Sequence, residues 1–213
     1  MSQTVSLKDA EQKVFQTAVN DGLWDIYLGC FFLMLVIAPL LSEKLGDFWS
    51  SAIFLPFFGL VYLVLRWVHK HAVVPRIGSV RFGKFRRTVL TRFNYVMLAA
   101  NLVLLVLGII AATYASRVPG FLTSIAFGLI LMAGFTFAAF YLGIGRLYLY
   151  ALMVGLAPVI GEWLWNHNLA SHHGFPVTFG IISGIMILTG ITLLVRLLRK
   201  YPLAESRFQP DEG

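Results

Sequence analysis

The stretch HKHAVVPRIGSVRFGKFRRTVLTR, residues 69–92, lies between two long apolar segments and contains seven lysines and arginines but no carboxylate. We call it the basic island. In multi-pass membrane proteins, short segments rich in Lys and Arg that flank apolar spans are retained on the cytoplasmic side. The basic island therefore predicts on which side of a membrane every other segment lies.

The composition on either side of the basic island is that of an integral membrane protein. Of the 213 residues, 58% are hydrophobic and 13% are charged, and the mean hydropathy is +0.78. Soluble domains are far more polar than this. The single cysteine, Cys30, falls in the first apolar segment, which excludes an intramolecular disulfide and a CxxC redox pair.

Six apolar segments are each long enough, at 1.5 Å per residue, to approach or cross a hydrocarbon layer of ~30 Å. The predicted fold is an all-α integral membrane bundle, with residues 23–198 forming six transmembrane helices, joined by short connections except at the basic island. Consecutive spans are then expected to be antiparallel neighbours. The predicted spans are residues 23–41, 49–68, 95–114, 121–142, 147–165 and 175–195.

The two ends of the chain are predicted to lie in the cytoplasm. With the basic island inside, six spans place both termini inside, and 15 of the 17 lysines and arginines then fall in cytoplasmic segments or at cytoplasmic span ends. Only Lys44 and Arg117 fall outside. Residues 1–22 are predicted to form a short amphipathic helix on the membrane surface, and residues 199–213 a cytoplasmic tail.

Two segments resemble a known group of proteins. VVPRIGSVRF, residues 73–82, and LLRKYPL, residues 197–203, resemble the PRIG-x-V-x-F cytoplasmic loop and the basic RKYP tail of uncharacterised small multi-pass bacterial membrane proteins. The resemblance implies a location in the bacterial plasma (inner) membrane. It implies no substrate, cofactor or catalytic residue.

Known catalytic motifs are missing from the sequence, which contains no HExxH, GxSxG, GxxxxGK[ST], GxGxxG or CxxC, and no pair of carboxylates on one face of a predicted helix. We therefore favour a non-enzymatic membrane protein: a small transporter, a channel or an accessory subunit. No cofactor is predicted by this hypothesis. The alternative is an external metal-binding or redox site in the connection between the last two spans.

That connection, GEWLWNHNLASHHG at residues 161–174, is the densest group of polar side chains, and its candidate ligands are Glu162, His167, His172 and His173. Imidazole and carboxylate ligands suit Zn²⁺ or Cu²⁺. However, the histidines show no helical i, i+4 spacing, and adjacent His172 and His173 diverge in most regular conformations. A solvated outer loop is the simpler interpretation.

Glu162 and Asn101 are the candidates for a polar cavity. Glu162 falls about one turn inside the outer edge of the fifth span, four residues after Pro158, which leaves the carbonyl of Val154 without its usual donor. Asn101 lies deep in the third span, where it needs a partner across a helix interface. The alternatives are a Glu162 that extends to the headgroups and an Asn101 that only holds helices together.

Two roles are predicted for the basic island, one in topology and one in binding lipid. Its candidates for contact with anionic headgroups of the inner leaflet are Arg76, Arg81, Lys84, Arg86 and Arg87. Asp25, at the start of the first span, is expected to end in interfacial water or to pair with an arginine of the island. The island is too short a surface for specific nucleic acid binding, so no nucleic acid partner is predicted.

Small residues four apart predict where helices approach one another, within the protein, in a homo-oligomer or with a membrane partner. In the last span Gly180 and Gly184 have this spacing, and we expect their face to make a close contact. The same spacing occurs at Ala151/Gly155, Ala157/Gly161, Ser124/Gly128 and Gly134/Ala138. The first two spans, rich in Phe and Leu, are expected to face lipid or a partner.

Overall fold

The computed structural model describes residues 21–77 and 120–202. Of these residues 90% are helical and none is in a strand. In chain order the helices are α1 Leu23–Leu45, α2 Asp47–Ala52, α3 Phe54–Val68, α4 Val74–Ile77, α5 Gly120–Leu142, α6 Arg146–Asn166 and α7 Phe175–Lys200, with a π-helical turn His69–Val73 before α4 and a short turn His172–Gly174 before α7.

Five of the described helical stretches are long and apolar enough to cross a membrane: Leu23–Ser42, Phe54–Arg76, Gly120–Leu142, Arg146–Asn166 and His172–Lys200. They correspond to five of the six predicted spans. The sixth, residues 95–114, lies outside the described residues, as do residues 1–20 of the predicted amphipathic segment and most of the tail. The all-α prediction is thus confirmed for the described part of the chain.

The described residues belong to two compact units. The first, called the hairpin unit, covers residues 120–178, which are α5, α6 and the first turn of α7. The second, called the α1 unit, covers residues 21–77 and 179–202. Each unit has its own helix contacts, and they are described separately below.

In the hairpin unit, α5 and α6 form an antiparallel pair joined by residues 143–145. Gly143 has a φ of 66°, a left-handed conformation that lets the chain reverse within three residues. Midway along the pair, Gly128 and Gly155 meet backbone to backbone, and a side chain at Gly155 would lie 2.8 Å from Met132 Cβ. The predicted contact of these small residues is present because neither helix has a side chain that separates the backbones.

One face of α6 is buried, and its residues recur every three to four positions, as a helix packed along one side requires. The buried positions are Leu147, Tyr150, Ala151, Val154, Gly155, Ala157, Pro158, Gly161 and Glu162. Apart from the two glycines and Glu162, these positions carry uncharged side chains that fill the interface. Gly161 and Glu162, at the end of this face, form the candidate site described below.

In the α1 unit, α1 packs antiparallel to α7 through Gly29, where a side chain would lie 2.5 Å from Ile187 Cγ1. Ser183 Oγ donates a hydrogen bond of 2.8 Å to the carbonyl oxygen of Gly29. One turn further, Phe32 and Phe179 stack with ring centroids 5.6 Å apart. Glycine therefore sits where the two backbones come closest, and aromatic rings fill the wider part of the interface.

The predicted close contact of Gly180 and Gly184 is not seen among the described residues of this unit. Within those residues a side chain at Gly184 would meet nothing within 4 Å, and one at Gly180 would make only an ordinary contact with Val36. The neighbouring face, which carries Ser183 and Gly190, points at α1 instead. The choice between the two faces depends on the rotation of α7 about its axis, which glycine spacing does not determine.

The second predicted span, 49–68, is displaced in the structure. The helix is interrupted at Ile53 and continues beyond Val68 through the π-helical turn to Ile77, so the start of the basic island is helical rather than a loop. Pro75 explains the irregular turn, because proline lacks an N–H and its ring clashes with the carbonyl one turn before it. The π-helical turn closes with the N–H of Val74 on the oxygen of His69 and makes room for that ring.

Candidate functional site at the end of α6

Two glycines bring the end of α6 into contact with the turn that precedes α7. A side chain at Gly161 would lie 2.6 Å from the carbonyl oxygen of His173, and one at Gly174 would collide with the carbonyl oxygen of Gly161. Gly174 also has a φ of 67°, in the left-handed region. The backbones can touch here only because both positions are glycine, and the contact places the neighbouring residues, Glu162 and His173, side by side.

Glu162 and His173 form a carboxylate–imidazole pair. His173 Nδ1 lies 2.9 Å from Glu162 Oε2, and because an ionised carboxylate can only accept, Nδ1 donates the hydrogen. The two partners differ in exposure: the Glu162 side chain is 7% exposed and that of His173 is 56% exposed. The carboxylate is thus buried, and the imidazole lies between it and the surface of the hairpin unit.

The turn that carries His173 has an unusual backbone. His172, His173 and Gly174 have φ values of 50°, 53° and 67°, and the N–H of Gly174 bonds the carbonyl of Ser171 at 2.9 Å. Left-handed backbone costs about 1–2 kcal/mol for each residue that has a Cβ. Two consecutive histidines in this conformation store strain that surrounding contacts must offset, and such strain is concentrated at functional sites.

Aromatic rings enclose the imidazole of His173. Its ring centroid lies 5.0 Å from that of Trp165 and 6.3 Å from that of Phe175. Rings at these distances pack as aromatic pairs. Together with the carboxylate they favour the observed orientation of the His173 side chain, which is still 56% exposed.

The first residue of α5 lies against the other oxygen of the carboxylate. A side chain at Gly120 would come within 2.7 Å of Glu162 Oε1. Glycine at this position therefore leaves room for the carboxylate beside the start of α5.

The structure does not bring all four residues predicted to bind a metal into one cluster. Glu162 and His173 pair, whereas His167 bonds the carbonyl of Trp163 at 2.8 Å and packs on that ring with centroids 4.5 Å apart. Among residues 21–77 and 120–202, no three His, Cys, Asp or Glu side chains are grouped so that they could hold a metal ion. The predicted four-ligand set is therefore not assembled in the described structure.

Of the other predicted site residues, only Arg76 falls in the described ranges. Its Nη1 donates a hydrogen bond of 2.7 Å to the carbonyl of Ala72, one turn earlier in the helix. The remaining candidates, Asn101, Arg81, Lys84, Arg86 and Arg87, lie outside the described residues. Glu162 is 5% exposed, so it does not extend to the headgroups as the alternative interpretation required.

Sequence reasoning missed a second carboxylate–imidazole pair, in the α1 unit. His69 Nδ1 lies 3.5 Å from Asp21 Oδ2, with side chains that are 50% and 4% exposed. Asp25, expected in interfacial water, is also buried, at 1% exposed. The signal that could have revealed both pairs is a glycine directly beside the carboxylate or the imidazole: Gly22, Gly161 and Gly174.

No protein-family model, curated protein or solved structure matches the chain.

What the site can do follows from its own chemistry. A buried carboxylate in an apolar helix is costly unless it is neutralised or paired, and here one half-exposed imidazole does the pairing. If that imidazole turns away, the carboxylate can take a proton or a cation in its place.

Proposed function

We propose that this chain is a small, non-enzymatic membrane transporter or channel for protons or monovalent cations, and that Glu162 is its binding group. The observation that carries the proposal is the burial of Glu162 in a membrane-spanning helix with the half-exposed His173 as its partner. A carboxylate inside a span costs up to ~3 kcal/mol, and ionisable residues there mark ion pathways. The left-handed backbone of the turn that carries His173 supports the proposal, because such strain is concentrated at functional sites.

The ligand class follows from the number of donors. Zn²⁺ takes four ligands and Ca²⁺ six to eight oxygens, whereas Glu162 and His173 supply one carboxylate and one imidazole. A proton needs only the carboxylate, and a monovalent cation needs the carboxylate with backbone oxygens such as that of Gly161. Bound Zn²⁺ or Cu²⁺ in the purified protein would instead support the metal-site alternative.

The proposal includes an orientation and a compartment. The strong excess of Lys and Arg on one side of the predicted spans supports cytoplasmic termini and a cytoplasmic basic island, which places Glu162 and His173 at the external surface. The compartment proposed is the bacterial plasma membrane. Anionic lipids of the inner leaflet are the partners proposed for the basic island, at about 1 kcal/mol for each basic residue near the surface.

The test is ion flux into liposomes that contain the purified full chain, measured with a pH-sensitive dye and with Na⁺ or K⁺ gradients. Wild-type protein is expected to conduct one of these ions, and Glu162→Gln to reduce its flux by about 10-fold or more, the equivalent of 1.4 kcal/mol of lost binding. The matched control is His167→Gln, since His167 bonds its own helix. It should leave the flux unchanged. Wild-type flux equal to that of empty liposomes for all three ions would contradict the proposal.

An accessory membrane subunit is the second candidate function. It is favoured by α3, in which no residue is buried within the described structure and Leu55 is 83% exposed. Photo-crosslinking from Leu55 and Leu63 in native membranes would test it. Adducts with another protein would support a subunit, and adducts with lipid alone would count against it.

A further inference from the structure

The Asp21–His69 pair lies at the start of α1 and the end of α3. Asp21 precedes the first span, and its Oδ1 accepts a hydrogen bond of 2.9 Å from the N–H of Leu23, two residues along the chain, as aspartates in turns commonly do. Its other oxygen faces His69 Nδ1 at 3.5 Å. One oxygen of the carboxylate is therefore structural, and the other faces an imidazole that is half exposed.

We propose that Asp21 and His69 form a proton-exchange site on the face predicted to be cytoplasmic, in which His69 transfers protons between water and the buried carboxylate of Asp21. The site is independent of Glu162 and goes beyond the proposed ion binding there. It requires neither metal nor cofactor. Its ligand is the proton alone.

The geometry supports each role. Asp21 has a side chain that is 4% exposed, so water has little access to it, whereas His69 is 50% exposed and reaches both the carboxylate and the surface. At 3.5 Å the two groups are beyond ordinary hydrogen-bond distance but within one small side-chain rotation of it. An imidazole has two nitrogens, so it can accept a proton on Nε2 and release another from Nδ1.

The transfer balances without other reactants. Nε2 of neutral His69 takes a proton from hydronium, which becomes water and leaves an imidazolium. Nδ1 then gives its proton to Asp21 Oδ2, so the carboxylate becomes a carboxylic acid and the imidazole is neutral again. Reversal of both steps returns the proton to water.

The backbone at His69 supplies a second, independent observation. His69 is the first residue of the π-helical turn His69–Val73. Single π-helical turns inside α-helices are rare and frequently occur at functional sites. His69 thus lies where the regular helix α3 ends and the wider turn next to Pro75 begins.

Within the part of the chain that the structure describes, the charged side chains on the turns next to the pair are Asp25, Arg66, Lys70 and Arg76. Asp25 lies one helical turn after Asp21 and is 1% exposed. On the adjoining turns Lys70 is exposed, and Arg76 donates to its own helix. The part of α7 against Gly22, from Gly190 to Leu193, carries no charged side chain.

The experiment is time-resolved infrared spectroscopy of the full chain in liposomes after a light-triggered release of protons. A carboxylic acid band from Asp21 is expected to rise, to be lost in Asp21→Asn and to return in Asp21→Glu. In His69→Gln the band should rise about 100-fold more slowly, the lower end of what a positioned proton-transfer group contributes. The matched control is His71→Gln, because His71 bonds the carbonyl of Trp67 in its own helix and should have no effect.

Two results would overturn the inference: a carboxylic acid band that is unchanged by Asp21→Asn, or equal rates in His69→Gln and His71→Gln. If Asp21→Asn does not fold, the rate measured in His69→Gln still tests the inference, since this variant leaves Asp21 in place. The outcome is separable from that of the ion-flux test, because Glu162→Gln should leave the Asp21 band and its rate as they are in the wild type.

Discussion

The Glu162–His173 pair and the Asp21–His69 pair are built from the same parts. In each, a buried carboxylate faces a half-exposed imidazole. In each, one member also lies beside a left-handed glycine whose backbone touches a second glycine: Gly174 on Gly161, and Gly22 on Gly190. The glycine contacts bring helix ends close enough for a short acidic side chain to be covered.

The pairs differ in what the glycine contact joins. In the hairpin unit it joins the two segments that carry the pair, so Glu162 and His173 are the residues next to the two glycines and lie 2.9 Å apart. In the α1 unit it joins α1 to α7, while His69 comes from the end of α3 and lies 3.5 Å from Asp21. A shared backbone contact thus gives a tight pair, and a partner from another helix gives a loose one.

The largest effect is expected from Gly174→Ala, which should remove the tight pair. The left-handed backbone costs a Cβ about 1–2 kcal/mol, and collision with the carbonyl of Gly161 adds a cost of overpacking of similar size. We expect a loss of about 3 kcal/mol in unfolding free energy, measured by denaturant titration in detergent. The control is Gly184→Ala, at an open helical position, which should be neutral or stabilising by up to about 1 kcal/mol.

Gly190→Ala, in the α1 unit, is expected to lower the unfolding free energy by a smaller amount, about 2 kcal/mol. Gly190 does not have a left-handed backbone, so only the steric term applies, from a Cβ that would lie 2.6 Å from the carbonyl oxygen of Gly22. If Gly190→Ala proved more harmful than Gly174→Ala, backbone strain at the His172–Gly174 turn would not be what distinguishes the two pairs.

How far the sequence predicts this molecule depends on the range of the interaction. The lengths of the apolar segments predicted the ends of α5 and α6 to within one residue. This was possible because a span is determined by the composition of one continuous stretch of sequence. The position of Glu162 inside the limit of its span was local too, and its burial agrees with the structure. The role of His173 was not predictable alone, since His167 and His172 looked equivalent to it until the Gly161–Gly174 contact selected one.

The faces that meet were predictable in one unit but not in the other. Gly128 and Gly155 met as their spacing indicated, whereas Gly184 did not pack on α1. Both have the same sequence signal, and only the rotation of each helix decides which small residue is used. Asp21 was missed for a related reason: it was assigned to the end of a preceding segment, although its carboxylate bonds the N–H of Leu23, the first residue of α1.

Removal of the imidazole should have a moderate effect on the tight pair. His173→Ala leaves the same backbone strain but deprives a buried carboxylate of its 2.9 Å donor, and an unsatisfied buried acceptor costs about 1–3 kcal/mol. We expect a loss of about 2 kcal/mol in unfolding free energy, measured by the same denaturant titration. His167→Ala, which removes an exposed bond to its own helix, should stay within about 0.5 kcal/mol of the wild type.

The smallest effect is expected from His69→Ala, which should lower the unfolding free energy by about 0.5 kcal/mol. The His69 imidazole is half exposed and lies 3.5 Å from the carboxylate, so it should contribute as little as a surface ion pair. A double-mutant cycle with Asp21→Asn would measure the coupling itself, and the matching cycle with Glu162→Gln and His173→Ala should give a value of about 1.5–3 kcal/mol. Equal coupling in the two cycles would show that the glycine contact does not determine how tightly each carboxylate is held. Weak coupling at Asp21 also agrees with proton exchange there, because an imidazole that is held loosely can leave the carboxylate and return to it.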